Sequence, residues 1–340
     1  MEPDPRSDAY HGDPRELARW REHPDDPPAV AVWEITLRCD LGCRHCGSRA
    51  GKARTDELST AEALDVVHQL ARLRVGEVTL IGGEAYLRDD WPELAREITA
   101  QGMLCTMVTG GFAFDEARAE QARRAGVHLI AVSIDGLRRT HDVQRGRKGS
   151  WDAALETARR ITDKGIKLGI NTQINRLSMP ELPAVAQLAV DLHSINWLVQ
   201  LTVAMGHAAD RPELLLQPFH LLDLFPMLDR IDHDTLQPGG VQLFTGNNVG
   251  YFGPYAERLR YGGTRGHSWA GCGAGKWSLG LEADGKVKGC PSLPSAAFTG
   301  GNVRDLTIEQ IMQATQLRGI SERTRDDLWG LCRSCEHADR

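Results

Sequence analysis

The chain has 340 residues, 41% of them hydrophobic and 25% charged, with a formal net charge of −6. That composition suits a globular protein with a sizeable core, in one large domain or one domain with a smaller one attached. It offers no basic field for nucleic acid, no apolar run of about 18 residues for a membrane span, and no apolar core for a signal peptide in its acidic start.

Residues 1–28 are rich in Pro, Asp and Arg and lack periodicity, which predicts a mobile or loosely docked arm. Residues 29–37 are apolar and β-prone, the first strand. The loop after it carries Cys39, Cys43 and Cys46 in the pattern C-x3-C-x2-C. The C-terminal end of a strand is where α/β sheets and barrels place chemistry. Ser59 and Glu62 form a capping box, and Leu64, Val67, Leu70 and Leu73 continue at helical spacing. A second strand, 77–81, ends in Gly82, Gly83 and Glu84. Glycines there let a ligand approach the backbone. The alternation then repeats: helix 91–101, strand 103–108 before Thr109, Gly110 and Gly111, helix 115–125, and strand 127–134 running into Ser133, Ile134, Asp135 and Gly136. Helix 151–164, strand 167–174 with Asn171 and Gln173, helix 179–192 and strand 196–203 complete it. Six strands alternating with helices predict a parallel, curled sheet with helices outside.

Residues 211–270 break the alternation. A helix is expected over 214–230, and the glycine- and aromatic-rich run 244–255 reads as a loop, or as a substrate-lining segment. The last region, 271–340, holds Cys272, a hairpin with strands 277–281 and 286–288 about Ala283, Asp284 and Gly285, then Cys290, a helix near 307–316, and Cys332 and Cys335. Eight cysteines without an export signal argue for metal ligands or catalytic thiols in a reducing, cytoplasmic compartment. Seven fall in ligand spacings. Cys105, inside an apolar strand, reads as a buried small hydrophobe.

A [4Fe–4S] cluster normally takes four thiolates. Three close cysteines on one loop hold three irons and leave the fourth open to a small molecule. The competing reading is half a zinc site, which also uses close cysteine pairs. His45 lies between two of the cysteines and would strain a tetrahedron as its fourth ligand.

The loop resembles the signature of the radical S-adenosylmethionine (SAM) enzymes, C-x3-C-x-aromatic-C, with His45 in the aromatic position. The resemblance covers about residues 29–210 and implies an α/β fold, a partial (β/α)6 barrel. It implies that the open iron chelates SAM, and that an electron from a flavodoxin- or ferredoxin-type donor cleaves SAM to a 5′-deoxyadenosyl radical. That radical takes hydrogen from the substrate. Gly82, Gly83 and Glu84 match a G-G-E motif that meets the SAM amino group through backbone carbonyls. Ser133 and Asp135 match an S-I-D-G motif facing SAM or substrate, with a strand-ending turn as the plain alternative. Asn171 and Gln173 lie on the strand whose polar residues reach the SAM ribose and carboxylate. Thr109 is a weaker candidate, because relatives carry T-N-G where this chain has T-G-G.

Cys272, Gly285 and Cys290 give C-x12-G-x4-C, and C-x2-C follows at Cys332 and Cys335. This resembles the small α+β auxiliary-cluster modules called SPASM and twitch, and implies at least one auxiliary [4Fe–4S] cluster. In a twitch module all four cysteines ligate it. In a SPASM module Cys332 and Cys335 serve a second cluster, and the next ligand would fall one residue past Arg340, so the expectation is a true twitch enzyme or a truncated SPASM enzyme. Zinc also suits four sulfurs.

The leading expectation is oxidative modification, such as crosslinking, of a ribosomally made peptide. The short arm lacks room for the usual leader-recognition domain, which implies a separate leader-peptide-binding protein or weakens this reading. The alternative is oxidation of a small molecule such as an amino sugar, and the non-enzymatic alternative is a zinc-binding structural protein. Pro291 follows Cys290, where sulfatase-maturing relatives carry an Asp base. Asp135, His207 and Asn247 are candidate proton acceptors.

Overall fold

In the first strand, β1 (Val30–Glu34), Ala31 and Trp33 alternate inward to full burial against the helical layer. The computed structural model describes residues 28–246, 249, 253–261, 272–336 and 338. The expected arm thus lies outside the described residues except for residue 28, as does Asn247. After β1 the elements run α1 (Thr60–Arg72), β2 (Glu77–Ile81), α2 (Trp91–Ala100), β3 (Leu104–Thr109), α3 (Glu116–Arg124), β4 (Leu129–Ser133), α4 (Arg138–Arg145), α5 (Ser150–Asp163), β5 (Lys167–Ile174), α6 (Leu182–Asp191) and β6 (Asn196–Leu201). Ser59 and Glu62 cap α1 reciprocally, as the capping box predicts. Cys105 is fully buried in β3.

β1 to β6 are all parallel, each paired with the next. Two additions extend them. The helix expected from residue 214 starts only at Leu221, behind turns that Pro212 and Pro218 favour; α7 is Leu221–Ile231. The run read as a loop from residue 244 is partly strand. β7 (Gln242–Thr245) adds a seventh parallel strand on β6, and α8 (Ala256–Tyr261) follows. Four residues are too few for alternation to declare itself, and the open edge of β6 recruits them.

At the other edge the C-terminal hairpin joins the same sheet. β8 (Ser278–Leu281) pairs with β1 in parallel, and β9 (Lys286–Lys288) and β10 (Thr299–Asn302) continue antiparallel. Gly285 makes the turn at φ +87°, a left-handed conformation that favours glycine. The sheet runs β10-β9-β8-β1-β2-β3-β4-β5-β6-β7. Leu279, Leu281 and Val287 share the barrel's core, and so do Ile308 and Ile311 of α9 (Ile308–Met312). Among the described residues no helix is long and apolar enough to cross a membrane.

Candidate active site at the cysteine loop

The loop after β1 is tied down from four directions. Its return segment closes on it through Cys39 N–H to Gly51 O at 3.0 Å and Gly51 N–H to Leu37 O at 2.8 Å. α4 flanks Cys43: Gly42 N–H reaches Arg145 O at 3.1 Å and Arg44 N–H reaches Gln144 O at 2.7 Å. Tyr86 donates its hydroxyl to Asp40 at 2.7 Å. The segment after β6 completes the strapping, with His207 N–H to Cys46 O at 2.8 Å and His207 Nδ1 3.1 Å from Cys43 O. His207 therefore braces the loop. Gly146 sits at φ +66°, and a Cβ there would stand 2.2 Å from Gly42 O, so only glycine lets α4 end this close to the loop.

All three sulfurs accept N–H groups. Leu41 N donates to Cys39 Sγ at 3.4 Å, Ala50 N to Cys46 Sγ at 3.3 Å, and Arg145 Nη1 to Cys43 Sγ at 3.7 Å. Burial pushes the Cys39 thiol up to about 12 and raises that of Cys43. Buried thiols of this kind lose their protons when a metal takes the proton's place, and hydrogen bonds to the sulfurs are a feature of iron–sulfur sites. The donor set fits three irons of a cluster.

Behind Cys43 lies a buried charge network. Asp135 is wholly buried. Its Oδ1 accepts Gln173 N–H at 2.9 Å, and its Oδ2 lies 2.7 Å from Arg145 Nη2 and 3.3 Å from His45 Nε2. The Arg145 contact is an ion pair, and neither Oδ2 contact is an aligned hydrogen bond. Burial alone would raise the Asp135 pKa, but Arg145 and the two nearby histidines bring it below the usual value. Burial pushes the His45 and His141 rings down to about 4, so both are neutral near pH 7. Asp135 N–H donates to His141 Nδ1 at 3.2 Å and Gln144 Nε2 donates to Asp135 O at 2.7 Å. The Asp135 carboxylate joins Gln173, Arg145 and His45, and so ties α4 to the loop. His141, Gln144 and Arg145 escaped the sequence reading because α4 buries a polar face. The signal was present in the i, i+4 spacing of His141 and Arg145 and in the stop at Gly146.

Of the other expected SAM contacts, Gly82 and Gly83 pack against the loop: a Cβ at either would lie 2.4 Å from Thr36 O or 2.3 Å from Arg38 O. Glu84 faces Thr109 Oγ1 at 2.7 Å and Gly110 N–H at 2.6 Å, so the side chains of Glu84 and Thr109 engage each other. The T-G-G departure has a steric reason, since a Cβ at Gly110 would stand 2.5 Å from Leu41 Cδ1 and 2.7 Å from Glu84 Oε1. Ser133 and Asn171 are paired across β4 and β5, and Gln173 Nε2 donates to Gln200 Oε1 at 2.9 Å. Within the barrel a cavity of about 200 Å³ is lined by Glu77, Thr106, Asn171, Asn196, Leu198 and Phe244 among others.

In the C-terminal module, burial and the neighbouring Cys272 thiol raise the pKa of Cys290. Cys332 and Cys335 are exposed. The structure brings Cys272 and Cys290 near each other and leaves the C-x2-C pair at the surface.

The model of the Radical SAM superfamily matches residues 33–189, and that of an iron-sulfur cluster-binding domain, SPASM, matches residues 272–336. Fe-coproporphyrin III synthase of Methanosarcina barkeri is 36% identical over 164 residues, which are 48% of this chain and 41% of that protein. The chain therefore spans about two fifths of that relative's length. Mycofactocin maturase MftC of Mycolicibacterium smegmatis is 28% identical over 319 residues, 92% of this chain and 77% of that one. The crystal structure of Streptococcus suis SuiB bound to S-adenosylmethionine superposes with a TM-score of 0.72 at 16% identity, over 95% of this chain and 74% of that one, and shows the same fold. These matches give the chain a Radical SAM superfamily region at residues 33–189 and a SPASM iron-sulfur cluster-binding region at residues 272–336.

Proposed function

We propose that Cys39, Cys43 and Cys46 hold the SAM-binding cluster, and that the enzyme oxidatively modifies a side chain of a ribosomally made peptide in the cytoplasm. The observation that carries the first part is the shell of N–H groups aimed at all three sulfurs of one strapped loop. When bound, cluster and SAM supply a 5′-deoxyadenosyl radical that removes hydrogen from an unactivated carbon, and an auxiliary cluster takes the second electron. The chain's own part is positional. The backbone at Gly82, Gly83 and Glu84 receives the SAM amino group, Ser133 faces its methionyl or ribose, and Asn171 and Gln173 reach its ribose and carboxylate. Cys272 and Cys290 hold an auxiliary cluster, with Cys332 and Cys335 completing the module's ligands. The barrel wall excludes water and rival hydrogen donors. A flavodoxin- or ferredoxin-type protein delivers the electron, and a separate protein presents the peptide's leader.

Likeness over nine tenths of the chain to a protein named as a maturase supports the peptide reading. The second reading, a tetrapyrrole-like small molecule, is favoured by the 36% identity to the coproporphyrin enzyme.

The test is iron and sulfide content after anaerobic reconstitution, read with 5′-deoxyadenosine release. The parent should hold about eight irons or more, and the Cys39→Ala/Cys43→Ala/Cys46→Ala variant about four fewer with no SAM cleavage. Equal iron in both, or cleavage by the variant, overturns the assignment. Product masses from peptide and porphyrin incubations then decide between the two substrate classes.

A further inference from the structure

Arg145 ends α4 at 8% exposure and aims two nitrogens at two partners of opposite effect. Nη1 lies 3.7 Å from Cys43 Sγ, and Nη2 lies 2.7 Å from Asp135 Oδ2. The backbone on both sides of Cys43 is bonded to α4 at Gly42 and Arg44, which holds the end of α4 beside the sulfur. Gln173 N–H holds the other Asp135 oxygen. Buried Arg145 touches the Cys43 sulfur and buried Asp135 touches Arg145, so a cation and an anion of opposite effect are placed in line with the sulfur. Charges count for more here than in water, and hydrogen bonds to the sulfurs set iron–sulfur potentials.

We propose that the Arg145–Asp135 pair sets the reduction potential of the cluster held by Cys43. Reduction adds negative charge, so Arg145 raises the potential and Asp135 moderates it. The inference rests on Cys43 being a cluster ligand, and neither residue touches the reacting atoms.

The test is a redox titration of the anaerobically reconstituted full chain, followed by electron paramagnetic resonance without SAM. The SAM-binding cluster is identified by its spectral change when SAM is added afterwards. Arg145→Gln should lower the reduced-to-oxidised ratio at fixed potential about tenfold, which is about 59 mV for one electron. Asp135→Asn keeps the acceptor for Gln173 N–H and should raise the ratio. Arg145→Lys keeps the charge and should fall between parent and Gln. Opposite signs for Gln at 145 and Asn at 135 are the signature, because structural damage would move both variants the same way. Shifts of the same sign, or no shift with iron fully loaded, overturn the proposal. If Arg145→Gln does not load iron, the Asp135→Asn shift decides alone, and a downward or absent shift refutes the pair. Failure of the underlying reading shows separately, as unchanged iron content in Cys43→Ala.

Discussion

Glu84 carries the sharpest conflict between burial and charge in the site. It is 2% exposed, and burial pushes its carboxyl up to about 8 although Thr109 and Gly110 N–H favour the ionised form. A carboxyl raised in the folded state contributes stability that is full below its unfolded value of 4.5 and is lost as pH rises through about 8. Over that interval the loss runs at about 1.4 kcal/mol per pH unit. Glu84→Gln keeps an oxygen for Gly110 N–H and can donate to Thr109, so it escapes the loss. Urea unfolding of the cluster-free chain from pH 4.5 to 8 should show the parent falling relative to the variant as pH rises. A flat difference would refute the raised carboxyl. The role of Glu84 as neighbour to Thr109 was not legible in the sequence, whereas Cys39, Cys43 and Cys46 were, because ligand spacing is local. Asp135 and Arg145 meet across a turn and a helix, and no local pattern announces such a meeting.

At the scale of elements, periodicity worked wherever an apolar face packs inward, as in α1, α2 and β5. It failed at α4, whose buried residues are His141, Gln144 and Arg145, and at β7, whose partner is a distant edge. A polar side chain also joins the C-terminal module to the barrel. Gln69 on α1 is 6% exposed, its Oε1 accepts Ile308 N–H at 2.7 Å, and its Nε2 donates to Asp65 at 2.7 Å. Ile308 is the first residue of α9, and its N–H has no partner within that helix. Gln69→Leu should cost about 1–3 kcal/mol by leaving that buried donor unsatisfied. Gln69→Glu keeps the acceptor but sets a second carboxylate against Asp65, so it should not recover the loss. Urea unfolding midpoints decide it, and equal stability of the Leu variant and the parent would show that the bond contributes nothing.

At the scale of the whole molecule, the sequence suggests a small module appended to a barrel, and the structure makes the two one sheet. β8 continues the parallel order beyond β1, and charged side chains reinforce the join. Arg54, on the loop leading from the cysteines, lies 2.8 Å from Asp284, 3.2 Å from Glu282 and 3.6 Å from Glu34. Arg304 reaches back to Glu62 at 2.6 Å. Removing residues 272–340 would uncover the edge of β1 and strip Leu279, Leu281, Val287, Ile308, Ile311 and Leu317, each at most 1% exposed, from the shared core. At about 1.5–3 kcal/mol for each buried side chain, that loss rivals the entire stability of a typical domain, about 5–15 kcal/mol. The truncated chain should therefore be insoluble or lack a cooperative melting transition. Calorimetry of the purified fragment is the check, since a soluble fragment melting near the parent would mean that the barrel stands alone. The continuous sheet leaves Cys290 little freedom to move relative to Cys39, because one residue follows β9 by two positions and the other follows β1 by five, and β8 spans the gap between those strands. A module that takes an electron from substrate, as proposed, gains from being built on the first strand of the barrel rather than tethered to it.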